Sequence, residues 1–105
     1  MDIYALAEIA EAAQVEIQAS CPLTDPIIGV SRNLRDAGFA VDVMTIDCCK
    51  SGKRITLLVN DDKPGQVCYQ LGFRDRDPGA VFESVAFEQL TSVELCRWIT
   101  AYFSA

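Results

Sequence analysis

The chain contains no histidine, which removes at once the commonest neutral-pH acid-base group and the commonest metal ligand. Ser-His-Asp and Cys-His arrangements are therefore impossible within these residues, and a cysteine nucleophile needs another base or a helix N-terminus to lower its pKa. Basic charge is also missing from the first part of the chain: residues 1–31 hold five acids and no Lys or Arg. A secretory leader needs a basic start and an unbroken apolar run, and a membrane span needs a longer run still. Glu8, Glu11 and Glu16 interrupt both. Low-complexity stretches, linkers and internal repeats are absent too, so residues 1–105 read as a single domain of ordinary size. The expectation is a soluble, cytoplasmic protein without a membrane partner.

The net charge of -6 belongs mostly to that acidic first third, because the remaining ten acids face nine bases. Such a surface repels phosphate backbones and disfavours nucleic acid as a partner. It admits one special use, as an acidic inhibitor that imitates nucleic acid by presenting Glu8, Glu11 and Glu16 to a basic groove. A solvated helix face is the plainer reading. Five cysteines, an odd number without a leader, read as free thiols rather than a disulfide framework.

Helical spacing of Ile3, Leu6, Ala10, Ala13 and Ile17 predicts an amphipathic helix from residue 2 to about 19. Asp25-Pro26 then reads as an N-cap with proline at the first helical position, and Ile27, Val30 and Leu34 as a stripe. Gly38 supplies the left-handed residue that ends this second helix.

Residues 39–49, 54–60 and 66–73 follow as an antiparallel meander. A two-residue turn at Ser51-Gly52 pairs Cys48 with Ile55, Ile46 with Leu57 and Met44 with Val59, at the cost of setting Lys50 against Lys53. A turn across residues 61–65 pairs Val59 with Val67, Leu57 with Tyr69 and Ile55 with Leu71. One apolar face results, and a one-residue slip would destroy it. Residues 80–88 read as a fourth strand. Thr91-Ser92-Val93-Glu94 matches a capping box that opens a last helix, with Leu95, Cys96, Ile99, Tyr102 and Phe103 facing inward. The predicted fold class is α+β: a two-layer sandwich with an antiparallel meander sheet of three to four strands, helices packed on one face, in the order α-α-β-β-β-β-α.

No residue pattern identifies a catalytic, cofactor-binding or metal-binding residue, so no cofactor is expected and the reading leans away from an enzyme. Adjacent strand positions send Cys48 inward and Cys49 outward, and Cys68 lies too far along the outer face to join Cys49. Cys21, beside Pro22, is the candidate reactive thiol. Asn60-Asp61-Asp62 reads as a turn, residues 74–79 as a charged loop, and Lys50, Lys53 and Arg54 as a soluble tip.

Two surfaces remain. The outer sheet face displays Val43, Thr45, Asp47, Thr56, Leu58, Cys68 and Gln70, too apolar for a fully solvated face. With Trp98 of the last helix, Val43, Thr45, Thr56, Leu58 and Gln70 are candidate interface residues. The expected function is a non-enzymatic interaction module that self-associates as a homodimer, with a further protein partner also compatible. The alternative is a small-ligand binder, or a histidine-free enzyme, with a pocket between sheet and helices lined by Tyr69, Glu83 and Tyr102 and reached near Tyr69 or Trp98.

Overall fold

A computed structural model describes residues 2–20, 25–77 and 79–104. The first helix, α1 (Ile3–Ser20), buries the predicted stripe completely: Ile3, Leu6, Ala10, Ala13 and Ile17 have no solvent exposure. Its first turn is capped by the Asp2 carboxylate, which accepts a hydrogen bond from the Ala5 N–H at 2.9 Å.

The predicted second helix is the main correction. Residues Pro26–Ser31 form strand β1, and only the single turn Asn33–Asp36, α2, is helical. Ile27, Ile28 and Val30 are stiff at χ1 and Gly29 is a poor helix residue, so local preference favours extended chain once a sheet edge is available. The end of the segment was legible. Gly38 has φ +100°, and the Gly38 N–H to Arg35 carbonyl (3.0 Å) and Phe39 N–H to Leu34 carbonyl (2.9 Å) bonds close a Schellman motif.

Strands β2 (Val41–Cys48), β3 (Lys53–Asn60), β4 (Gln66–Phe73) and β5 (Glu83–Ala86) complete a five-stranded antiparallel sheet in the sequential order β1-β2-β3-β4-β5. The described residues thus form five strands rather than three or four, in the order α-β-α-β-β-β-β-α. The last strand is shorter than expected, giving way to a 3₁₀ turn at Phe87–Gln89. Helix α3 (Ser92–Phe103) follows, its Thr91 Oγ1 accepting the Glu94 N–H at 3.1 Å.

Register is partly as predicted. Leu57 faces Tyr69 and Ile55 faces Leu71 across β3 and β4. Between β2 and β3 the pairing is displaced by two residues: Met44 faces Leu57 and Ile46 faces Ile55. The connection spans residues 49–52 instead of Ser51-Gly52 alone, with Gly52 at φ +73° and its N–H on the Cys48 carbonyl at 2.9 Å. This wider turn separates Lys50 from Lys53, and a shift of two leaves every side chain on its predicted face.

The inner face carries Met44, Ile46, Ile55, Leu57 and Val67, all without exposure, and packs against α1 and α3 in one core with Leu6, Leu90, Leu95 and Ile99. Asp42 is the one charged residue buried there among those described, 3% exposed. Arg35 Nε donates to its Oδ1 at 2.9 Å and Arg32 Nε to the same oxygen at 3.3 Å, while Arg35 also grips Asp61 through two bonds of 3.0 Å. These donors, Arg35 foremost, hold the Asp42 carboxyl below its ordinary pKa despite burial. Among the described residues no helix is long and apolar enough to cross a membrane.

Candidate functional sites

The long helices α1 and α3 and the core lie on one side of the sheet, so among the described residues neither long helix covers the other side. Three rungs of paired residues cross it. One runs Ser31, Val43, Leu58, Cys68 and Ser84; the next Gly29, Thr45, Thr56 and Gln70; the third Ile27, Asp47, Arg54 and Gly72. The first rung is an apolar stripe across the three central strands. In the third, Arg54 Nε and Nη2 donate to the two Asp47 oxygens at 2.7 and 3.0 Å, and this pairing raises the arginine pKa. The pair is directly opposed across β2 and β3, which the displaced register makes possible.

Gln70 anchors the border of this face. Its Nε2 donates to the Gly79 and Val81 carbonyls at 3.2 and 2.8 Å, and its Oε1 accepts the Gly79 N–H at 2.9 Å. The charged loop is thereby drawn toward the outer face, with Arg76 stacked 4.9 Å from the Phe73 ring. Five of the six predicted interface residues, Val43, Thr45, Thr56, Leu58 and Gln70, thus share this face and are half-buried. The sixth does not: Trp98 lies on α3. Ile27, which is 49% exposed, belongs to the face but was hidden by the helical reading of its segment.

Trp98 lies with the predicted pocket residues, as expected of a pocket reached beside it. A concavity of about 450 Å³ lies between β4 and α3, lined by Tyr69, Leu71, Glu83, Trp98, Ala101 and Tyr102. The Tyr69 and Trp98 rings are 4.6 Å apart, tilted by 42°. Tyr69 donates its hydroxyl to Glu83 Oε2 at 2.8 Å, the main cause of its raised pKa. Tyr102 donates to the Gly72 carbonyl at 2.7 Å, and burial raises its pKa. Sequence reasoning missed Ala101 as a wall; its place one residue before Tyr102 on α3 was the available signal.

The remaining candidates are dispersed. Cys48 is buried; Cys49 stands exposed in the turn rather than on the strand, and Cys68 and Cys96 are half-buried, all four free. Cys21 lies outside the described residues. Lys53 donates to the Tyr102 carbonyl at 3.0 Å, so the basic tip is divided between the two sheet faces. Glu8, Glu11 and Glu16 are exposed on α1. Among the described residues no group of three or more His, Cys, Asp or Glu is placed to hold a metal ion. Comparison with protein-family models, curated proteins and solved structures finds no match to the chain.

Proposed function

We propose that this protein is a non-enzymatic interaction module that works as a two-fold homodimer, two copies meeting through the uncovered sheet face. The observation that carries this reading is the Val43-Leu58-Cys68 stripe across the central strands, outside the helical layer. An isologous contact centred on Leu58 sets that stripe against its own copy. The charges on the face favour a copy as occupant: Asp47 and Arg54 already satisfy each other, so closing the contact strands no lone charge. Size also fits. Strands about 4.8 Å apart and about 20 Å long give a footprint of roughly 500 Å² for this sheet, and accessible area exceeds footprint. A standard interface takes about 800 Å² per partner, roughly an eighth of the molecule's 6154 Å² surface.

Free thiols suit a reducing compartment, which supports the cytoplasm as the location. Light scattering after gel filtration tests the dimer directly. Twice the chain mass at tens of micromolar, reduced to the monomer by Leu58→Asp, is expected; a strict monomer, or a dimer indifferent to Leu58→Asp, refutes it. A second reading, small-ligand binding, is favoured by the aromatic concavity that brings Tyr69, Glu83 and Tyr102 together.

A further inference from the structure

We infer that the concavity between β4 and α3 is a binding site for a small organic ammonium ion, an alkylated amine of the choline type. The inference rests on the ligand-binding reading above and assigns the ligand its chemistry. Three of the six lining residues are aromatic, Tyr69, Trp98 and Tyr102, and the single charged one is Glu83. Aromatic faces carry negative electrostatic potential and attract a cation whose alkyl groups also gain from apolar contact. Leu71 and Ala101 complete that apolar lining.

The hydrogen bonds around the site strengthen this preference. Tyr69 donates its hydroxyl to Glu83 at 2.8 Å, and the Trp98 Nε1–H donates to Glu94 Oε1 at 3.1 Å. Each ring therefore shares its polar hydrogen with a carboxylate, which makes the π-system more electron-rich. The same bond fixes the Glu83 carboxylate at the rim, placed to attract a cation and to repel an anionic ligand. The Lys53 ammonium lies 5.1 Å from the Tyr102 ring centroid and already engages that ring, so the seat for an added cation falls on Tyr69 and Trp98, beside Glu83 and away from Lys53.

Bare inorganic cations do not fit this lining. Calcium and magnesium require several oxygen ligands, whereas the concavity offers one carboxylate among carbon-rich walls. A cation that keeps its charge but brings its own methyl or methylene surface matches both features.

Trp98 is the only tryptophan in the sequence, so its emission reports on this site alone. Choline titrated into the full chain at constant ionic strength, balanced with sodium chloride, is expected to give a saturable change in Trp98 emission in the millimolar range. The neutral isostere 3,3-dimethyl-1-butanol is expected to give none. Glu83→Gln, at an exposed position, should leave the melting temperature in place and weaken choline binding about tenfold. Equal binding of choline and the neutral isostere overturns the cation assignment while leaving an apolar ligand site standing. Unchanged choline affinity in Glu83→Gln also overturns the assignment. Absence of any saturable change with either probe overturns the assignment and the ligand-binding reading with it.

Discussion

Leu57 and Leu58 are identical residues one position apart on the central strand β3, so exchanging each for alanine isolates what the sheet's two faces do. Leu57 has no solvent exposure and sits between Met44 and Tyr69 on the neighbouring strands. Truncating it leaves a cavity in a core that relaxes only partly, and the expected loss is about 3–4 kcal/mol. A domain of this length has about 5–15 kcal/mol of net stability, so the loss lowers the melting temperature by roughly 12–25 °C. Leu58 is half-buried on the uncovered face. Its truncation removes part of one side chain's transfer energy and creates no enclosed void, so the monomer loses about 1 kcal/mol or less.

Association adds a second signature. A dimer contact at Leu58 stabilises the native state by mass action, so the Leu58→Ala deficit grows with protein concentration while the Leu57→Ala deficit stays nearly constant. Equilibrium urea unfolding followed by Trp98 emission, at a dilute and a concentrated condition, measures both effects. Unchanged m-values confirm that the comparison concerns stability alone. Equal losses for the two variants under dilute conditions, or a larger one for Leu58→Ala, would refute the assignment of faces. A Leu58→Ala deficit independent of concentration would refute the dimer.

Two further expectations follow from local geometry. Asp42 and Asp61 both have lowered carboxyl pKa values because of Arg35. The unfolded chain therefore binds more protons in acid, and the stability these groups contribute is present above about pH 3.9 and lost as pH falls through the lower folded values. Asp42→Asn should reduce the melting temperature at neutral pH and make its decline below about pH 4 shallower; a decline as steep as wild type would contradict the coupling. Gly38→Ala forces a side chain onto φ +100° where nothing else crowds it, so backbone strain alone should cost about 1 kcal/mol in urea unfolding. Gly72→Ala, with no neighbour within 4 Å of its Cβ and no positive φ, is the matched control expected to cost less.

Where hydrophobic period and turn chemistry agreed, local sequence carried the fold. The stripe Ile3, Leu6, Ala10, Ala13 and Ile17 specified α1, Thr91 specified the start of α3, and alternation along β2, β3 and β4 specified which residues face the core. That alternation survived a two-residue displacement because side chains repeat every second position. It also identified the outer-face candidates and the pocket member Tyr69, while helical spacing in α3 supplied Tyr102. Residues 26–31 failed the same treatment because Ile27, Val30 and Leu34 fit a helical spacing while Ile27, Ile28 and Val30 fit a strand, and only pairing with β2 decides between them. That pairing placed Ile27 on the outer face. Docking of α3 against β4 likewise set Trp98 4.6 Å from Tyr69. Short-range pattern determines the orientation of a side chain on its own element; which elements meet, and hence which side chains enclose a common space, depends on long-range packing that no local spacing encodes.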